Sequence, residues 1–203
     1  EEFDPALSGE YGHGRYPNVL SSVQFERMLS AAGPTEGSVL RPSDGRPAKR
    51  IAFLQCVGSR DSRRGRGFCS SICCMAATKE AVVAMEHLAG LQATIFCMDV
   101  RAFGKEFDRY TDRARDAQGV RFVRAIPSRV VQMPGSLNPR VRYFDEQGQE
   151  CQEEFDLVVL SVGMQPGASV DDLAVRLGIG RNEFGFCRTD RFSPMLTSRP
   201  GVF

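Results

Sequence analysis

The stretch "CVGSRDSRRGRGFCSSICC" holds four of the chain's seven cysteines, Cys56, Cys69, Cys73 and Cys74, in the pattern C-x12-C-x3-C-C. Thiolates crowded this closely point to metal or redox chemistry. Adjacent Cys73 and Cys74 can hardly bridge each other without strain. An odd, irregularly spaced set of seven cysteines is also unlike the framework of a secreted disulfide scaffold. The pattern therefore suggests a reducing compartment. Zinc sites usually show C-x2-C knuckles, and the common ferredoxin run is C-x2-C-x2-C; neither is present. Four thiolates can still hold a [4Fe-4S] cluster if a strand end, a loop and a helix start bring them together. Cys69 and Cys73 are spaced by about one helical turn and can share a face. Cys74 is rotated by about 100° from Cys73, so the helix start must open, or the cluster must sit against the helix end. A helix N-terminus and the nearby arginines would stabilise thiolates and an anionic cluster. Zinc binding, or burial as small hydrophobes, are the alternative readings of the four. Cys97, in an apolar run, and Cys151 and Cys187, near turns, read as structural cysteines.

The elements that must position this loop follow from periodicity and punctuation. "PNVLSSVQFERMLSAAG" reads as a short strand or extended lead and then a helix capped by Ser21 or Ser22, with Val23, Phe25, Met28 and Leu29 on its apolar side. Gly33-Pro34 would end it, and the Pro- and Gly-rich residues 34–49 read as a linker. Ile51–Leu54 is an apolar run of buried-strand type, ending in the cysteine loop. "SSICCMAATKEAVVAMEHLAG" reads as a helix closed by Gly90, "LQATIFCMDV" as a strand, and "FGKEFDRYTDRARDAQG" as a charged amphipathic helix closed by Gly119. "VRFVRAIPSRVVQM" follows. A hairpin turning near "DEQGQ" then leads to the apolar strand Leu157–Val162. This order predicts an α/β fold: a Rossmann-like three-layer domain with a mostly parallel sheet and a β-hairpin. Ligands in such sheets bind beyond the carboxyl ends of the strands. The cysteine loop lies where a dinucleotide-binding domain carries G-x-G-x-x-G. Only Gly58 remains of that cradle.

Composition narrows the function classes. The 203 residues are 42% hydrophobic and 25% charged, with a net charge of +1. Those values suit a globular domain and give no global field for nucleic acid or anionic membrane. No apolar run reaches the roughly 18 residues of a membrane span. No Ser-His-Asp or metalloprotease motif is present, so no residue is assigned as catalytic. His13 reads as a loop histidine, and Arg60–Arg66 as a solvated basic loop.

The segments "IAFLQCVGSRD…FCSSICCMAATKEA", "TIFCMDVRAFGKEFDRY", "FDLVVLSVGMQP" and "TSRPGVF" together resemble the A-type subunit of heterodisulfide reductase. They also resemble the related subunits of the quinone-interacting membrane-bound oxidoreductase of sulfur metabolism. The resemblance runs from about Pro17 to Phe203. It implies an electron-transfer domain of a flavin and iron–sulfur oxidoreductase, with a core like the NAD(P)-binding domain of thioredoxin-reductase-like flavoproteins. Carried over by position, it makes Cys56, Cys69, Cys73 and Cys74 ligands of a [4Fe-4S] cluster. It sets Lys79 beside the FAD ring, with Glu26 as the lysine's partner. A Lys near flavin N5 can stabilise anionic reduced flavin. The resemblance also implies a middle-domain piece: residues 1–48 an arm from a preceding FAD domain plus linker, 49–165 the Rossmann-like domain, and 166–203 a return arm. FAD would then belong to the full-length protein rather than to this piece. The implied partners are other reductase subunits and the remainder of the chain's own FAD domain, with no nucleic acid and no direct membrane insertion. The implied location is the cytoplasm, including the periphery of a membrane complex. The competing expectation is a non-catalytic assembly module with a degenerate dinucleotide fold, its thiols free or holding zinc.

Overall fold

A computed structural model describes all residues, Glu1–Phe203. Its centre is a five-stranded sheet in the order β1 (Val19–Ser21), β8 (Leu157–Val162), β2 (Arg50–Val57), β3 (Gln92–Cys97), β4 (Arg121–Arg124), with every pairing parallel. Three helices, α1 (Ser22–Leu29), α2 (Cys73–His87) and α3 (Phe107–Asp116), accompany it. A separate antiparallel sheet is formed by β5 (Arg129–Gln132), β6 (Pro139–Phe144) and β7 (Glu150–Glu154). A fourth helix, α4 (Val170–Leu177), follows β8. The α/β expectation is met. No helix is long and apolar enough to cross a membrane.

The central strands are buried on both faces, and alternate residues serve two cores. Ile51, Phe53, Ala93, Ile95, Leu157 and Val159 join Phe25 of α1, Ala77, Ala81 and Ala84 of α2 and Ala114 of α3 in one cluster. Ala52, Leu54, Phe96, Val158 and Leu160 point the other way, onto Val130, Val141, Tyr143 and Phe155 of the antiparallel layer. Small alanines on α2 let that helix lie close to the sheet, while Phe25 meets Phe53 edge-on at 5.6 Å. The layers are thus helices, parallel sheet and antiparallel sheet.

Several local expectations are refined. Ser21 caps α1 through a full capping box with Gln24, but the helix stops at Leu29, before Gly33-Pro34. Residues 1–48, expected as an arm and linker, supply β1 and α1 and bury Phe25, Met28 and Leu29 in the same core as the sheet. The stretch "VRFVRAIPSRVVQM" divides into β4 and β5. Pro127 lacks an N–H and so interrupts the ladder, letting β5 join the hairpin as a third strand. α4 is not among the expected elements, although Asp171 and Asp172 in its first turn, Arg176 in its last and the left-handed Gly178 after it are usual helix signals.

The site is positioned by a bulge at the end of β2. Leu54 pairs with Leu160 and Val57 with Val162, so β2 spends one residue more than β8 between those pairs. The extra residue kinks the strand and leaves Cys56 in the left-handed region at φ +62. Gly58 follows at φ +77, and a Cβ placed on it would lie 2.1 Å from the ring of Phe3. Phe3 is held there by its own N–H on the Gly163 carbonyl at 2.8 Å. Gly58→Ala is therefore expected to cost about 2–4 kcal/mol, from left-handed strain and overpacking together. Urea unfolding would show it as a lower midpoint with an unchanged slope.

Candidate functional site

The cysteine loop leaves the carboxyl end of β2 and returns at the first turn of α2. Its path is set by main-chain turns that side chains reinforce. The Arg60 N–H donates to the Phe68 carbonyl at 2.8 Å, and Asp61 and Arg66 are bridged through their main chains. Ser70 Oγ accepts from the Met164 N–H at 2.9 Å, tying the loop to the end of β8. Phe68 packs against Phe184 and Phe186, with ring centroids 5.0 and 5.2 Å away. Cys56, Arg60 and Ser71 account for three of the six non-glycine residues at positive φ in the chain. Such conformations persist only where the surroundings fix them, and they gather at functional sites.

Helix α2 begins at Cys73, with no side-chain cap at Ile72. The sequence expectation of a helix reaching back through Ser70 and Ser71 is corrected: the left-handed turn at Ser71 stops it, and Cys69 lies outside the helix. Cys69 and Cys73 are thus related by a turn rather than by a helical face. Cys73 is buried, and Cys56, Cys69 and Cys74 are half-buried. The four thiols act on one another electrostatically. Burial, and then the Cys73 thiol, push Cys56 up to about 12; Arg60 pulls the other way, and Cys74 and Cys69 add to the rise. Burial, and then Cys74, raise Cys73. Burial raises Cys74, to which Cys69 also contributes.

No three His, Cys, Asp or Glu side chains converge closely enough to hold a metal ion in this structure. The chemistry of the donor set nonetheless suits a cationic centre. Four thiols whose ionised forms would repel one another, at the open end of a helix with Arg60 nearby, suit a positive centre that stabilises the thiolates. Cys97 is buried at the end of β3, near enough to Cys74 to feel its charge; burial pushes its thiol up to about 11. Cys151 is half-buried on β7, and Cys187 is exposed.

The basic loop is not the solvated one expected from sequence. Arg60 grips Asp99 through two contacts, at 2.5 and 3.0 Å. Arg64 bonds both Asp61 and Glu10 at 3.0 Å. Arg66 lies over Phe3 and donates to Gln165 at 2.7 Å. Arg63 alone projects into solvent, its side chain 94% exposed. A cavity of about 200 Å³ opens beside Cys56, in the crevice where a Rossmann domain holds a nucleotide, and Tyr11, Arg60, Cys97 and Ile126 help to line it.

Six residues beyond Cys73, Lys79 on α2 meets Glu26 on α1 at 2.7 Å. The family resemblance makes these two residues partners, and the structure brings them together. Both side chains are more than half exposed, so the pair adds little to stability, about 0–1 kcal/mol. Lys79 borders two adjoining hollows. One, of about 710 Å³, lies between α2 and α3 and includes Met75, Phe107, Tyr110 and Arg113; the other, of about 560 Å³, includes Val23 and Glu26. Next to Lys79, Glu80 points inward, 1% exposed, with its Oε2 lacking any hydrogen-bond partner. Sequence reasoning misses it, because a Glu in a charged-looking helix segment gives no sign of burial.

Fold and loop together define an α/β domain of Rossmann type in which cysteines replace the phosphate-binding turn. The chain is similar over nearly its whole length to the A-type subunits of heterodisulfide reductases. It is 45% identical over 203 residues to the second A-type iron-sulfur subunit of the CoB–CoM heterodisulfide reductase of Methanopyrus kandleri, covering 98% of this chain and 31% of that protein. It is 40% identical over 205 residues to the A-type iron-sulfur subunit of the Methanocaldococcus jannaschii CoB–CoM heterodisulfide reductase, covering 100% and 31%. Against the A-type subunit of the ferredoxin:CoB-CoM heterodisulfide reductase of Methanosarcina mazei, identity is 41% over 191 residues, covering 94% and 23%. The chain thus spans less than a third of the length of these relatives. No protein-family model matches it. Among solved structures, lysine monooxygenase NbtG of Nocardia farcinica aligns with 80% of this chain and 42% of its own, at 13% identity and a TM-score of 0.44.

Proposed function

We propose that this chain is the electron-relay domain of an oxidoreductase, passing electrons between FAD and a [4Fe-4S] cluster. Cys56, Cys69, Cys73 and Cys74 would hold the cluster. The observation that carries the reading is the placement of four cysteines, on a strand bulge, a loop and a helix start, along one carboxyl edge of the sheet. When bound, the cluster supplies one-electron storage. The chain's own residues do the rest: the bulge presents Cys56, Ser70 and Phe68 anchor the loop, and the first turn of α2 faces the thiolates with its positive end. Lys79 and Glu26 would stand at the flavin ring. A surface ion pair of little structural value, beside a hollow with aromatic and cationic lining, suits a planar anionic ligand. FAD would be held mainly by the remainder of the full-length protein, and other subunits of a reductase complex would take electrons onward.

The competing assembly-module reading is separated by metal analysis. After anaerobic incubation with iron and sulfide, and in parallel with zinc, the relay reading expects about four irons per chain. Stoichiometric zinc with no retained iron would replace it with the assembly module.

A further inference from the structure

The loop between β2 and α2 is polar almost throughout. From Gly58 to Ser71 its one large apolar side chain is Phe68, immediately before Cys69. The partners of Phe68 come from beyond α4: Phe184 and Phe186, their ring centroids 5.0 and 5.2 Å away, the second edge-on. All three rings are half-buried. The two partner rings belong to a turn that is shaped by its own bonds. The Asn182 side chain accepts the main-chain N–H groups of Phe184 and Phe186, each at 3.0 Å. The Asn182 N–H donates to the Phe186 carbonyl at 2.8 Å, and the Gly185 N–H to the Asn182 carbonyl at 3.0 Å. A bridge between Arg181 and Cys187 closes the base. Asn is suited to this local bonding, and Gly185 supplies the φ of +84 between the two phenylalanines. An ion pair from Arg181 to Asp171 ties the turn to α4. No hydrogen bond or ion pair joins residues 181–187 to the cysteine loop, so the two meet through the rings. Such a contact breaks no hydrogen bond on opening, and local openings of this kind draw on the low-stability end of a fold.

We propose that residues 181–187 are a latch on the cysteine loop. Phe184 and Phe186 are positioning residues that act through Phe68: docked, they hold the loop closed at Cys69, and their release opens it there. On the other side of Cys69 the bond from the Met164 N–H to Ser70 Oγ pins the loop, so the opening stays local and does not spread into α2. The proposal concerns the loop itself and is independent of which centre the cysteines hold.

The test is timed alkylation of the reduced, metal-free chain with N-ethylmaleimide at fixed pH, read cysteine by cysteine by peptide mass spectrometry. Half-buried Cys151 on β7 and buried Cys97 at the end of β3 serve as references. The double variant Phe184→Ala, Phe186→Ala is expected to speed the Cys69 reaction by about tenfold or more, with Cys151 and Cys97 unchanged. Phe68→Ala is expected to give the same acceleration. Combining all three changes is expected to add nothing further, because both sides of one contact are already lost. An unchanged Cys69 rate in the double variant would overturn the latch, and so would accelerations that multiply when the changes are combined. If the double variant also speeds Cys97, the fold has loosened as a whole, and Asn182→Ala decides. That variant keeps all three rings and removes only the side chain that shapes the turn. A faster Cys69 reaction with Cys97 still protected supports the latch, and any other result overturns it. No metal is present in these reactions, so the outcome is separate from that of the relay reading.

Discussion

Cys56→Ala is expected to drop the iron of the reconstituted chain from about four per molecule to below about one. Cys97→Ala is expected to keep it. The two cysteines are alike in composition terms: each ends an apolar strand of the same sheet. They differ in what the backbone does. β3 runs in register with β4 through Cys97, and the buried Cys97 thiol belongs to the helix-side core. β2 breaks register just before Val57, and the left-handed conformation at Cys56 turns its thiol toward Cys73, Cys74 and Cys69. A three-cysteine set leaves one metal position open to solvent and to chelators. Because metal bound only by the folded state adds to folding free energy, the same substitution is expected to return the thermal midpoint of the loaded chain to that of the iron-free form. Equal iron loss from the Cys97 and Cys56 variants would contradict this placement.

Glu80→Gln is expected to stabilise the iron-free chain at alkaline pH and to change little at pH 5. Burial, and then the charge of Glu26, raise the Glu80 carboxyl to about 8, with Lys79 opposing. In the unfolded chain the group ionises near its ordinary value. Between those two values the folded state holds one proton more than the unfolded state, so stability falls as pH rises, by about 1.4 kcal/mol per pH unit. The cost is absent below the unfolded value, grows until about pH 8, and is constant above it. Its full size is about 3–5 kcal/mol. Gln keeps the shape without the charge, so the variant should gain about 2–4 kcal/mol at pH 8.5 and flatten the pH profile. Urea midpoints at pH 5 and pH 8.5 read this directly. An unchanged slope with pH in the variant would show that Glu80 is not the titrating group. A neutral Glu80 also leaves Glu26 as the carboxylate paired with Lys79, which keeps that exposed pair simple in charge.

Much of the framework was legible because it rests on strong local signals. Ile51–Leu54 and Leu157–Val162 are apolar on both faces and could only be central strands. Ser21 and Ser22 announced the start of α1, and the spacing of the cysteines marked the loop. The pairing of Lys79 with Glu26 came from the family resemblance and has a geometric basis in the crossing of α1 and α2. What escaped the sequence depends on distant partners. The sequence leaves Val19–Ser21 open between a short strand and an extended lead, and the free edge of β8 decides for the strand. Arg129–Gln132 pairs with β6 rather than with the parallel sheet because Pro127 redirects the chain. The left-handed turn at Ser71, which holds Cys69 off the helix, has no glycine to signal it. Arg60 looked like one of several loop arginines, since Asp99 lies 39 residues away. Glu80 is an ionisable residue whose burial has no counterpart in the local sequence.

The most direct test of the central claim is EPR of the reconstituted chain after reduction with dithionite. The relay account predicts that a chain carrying about four irons takes up one electron reversibly and gives a signal close to one spin per molecule. A chain that binds zinc instead, or holds iron giving no reducible signal, would contradict it.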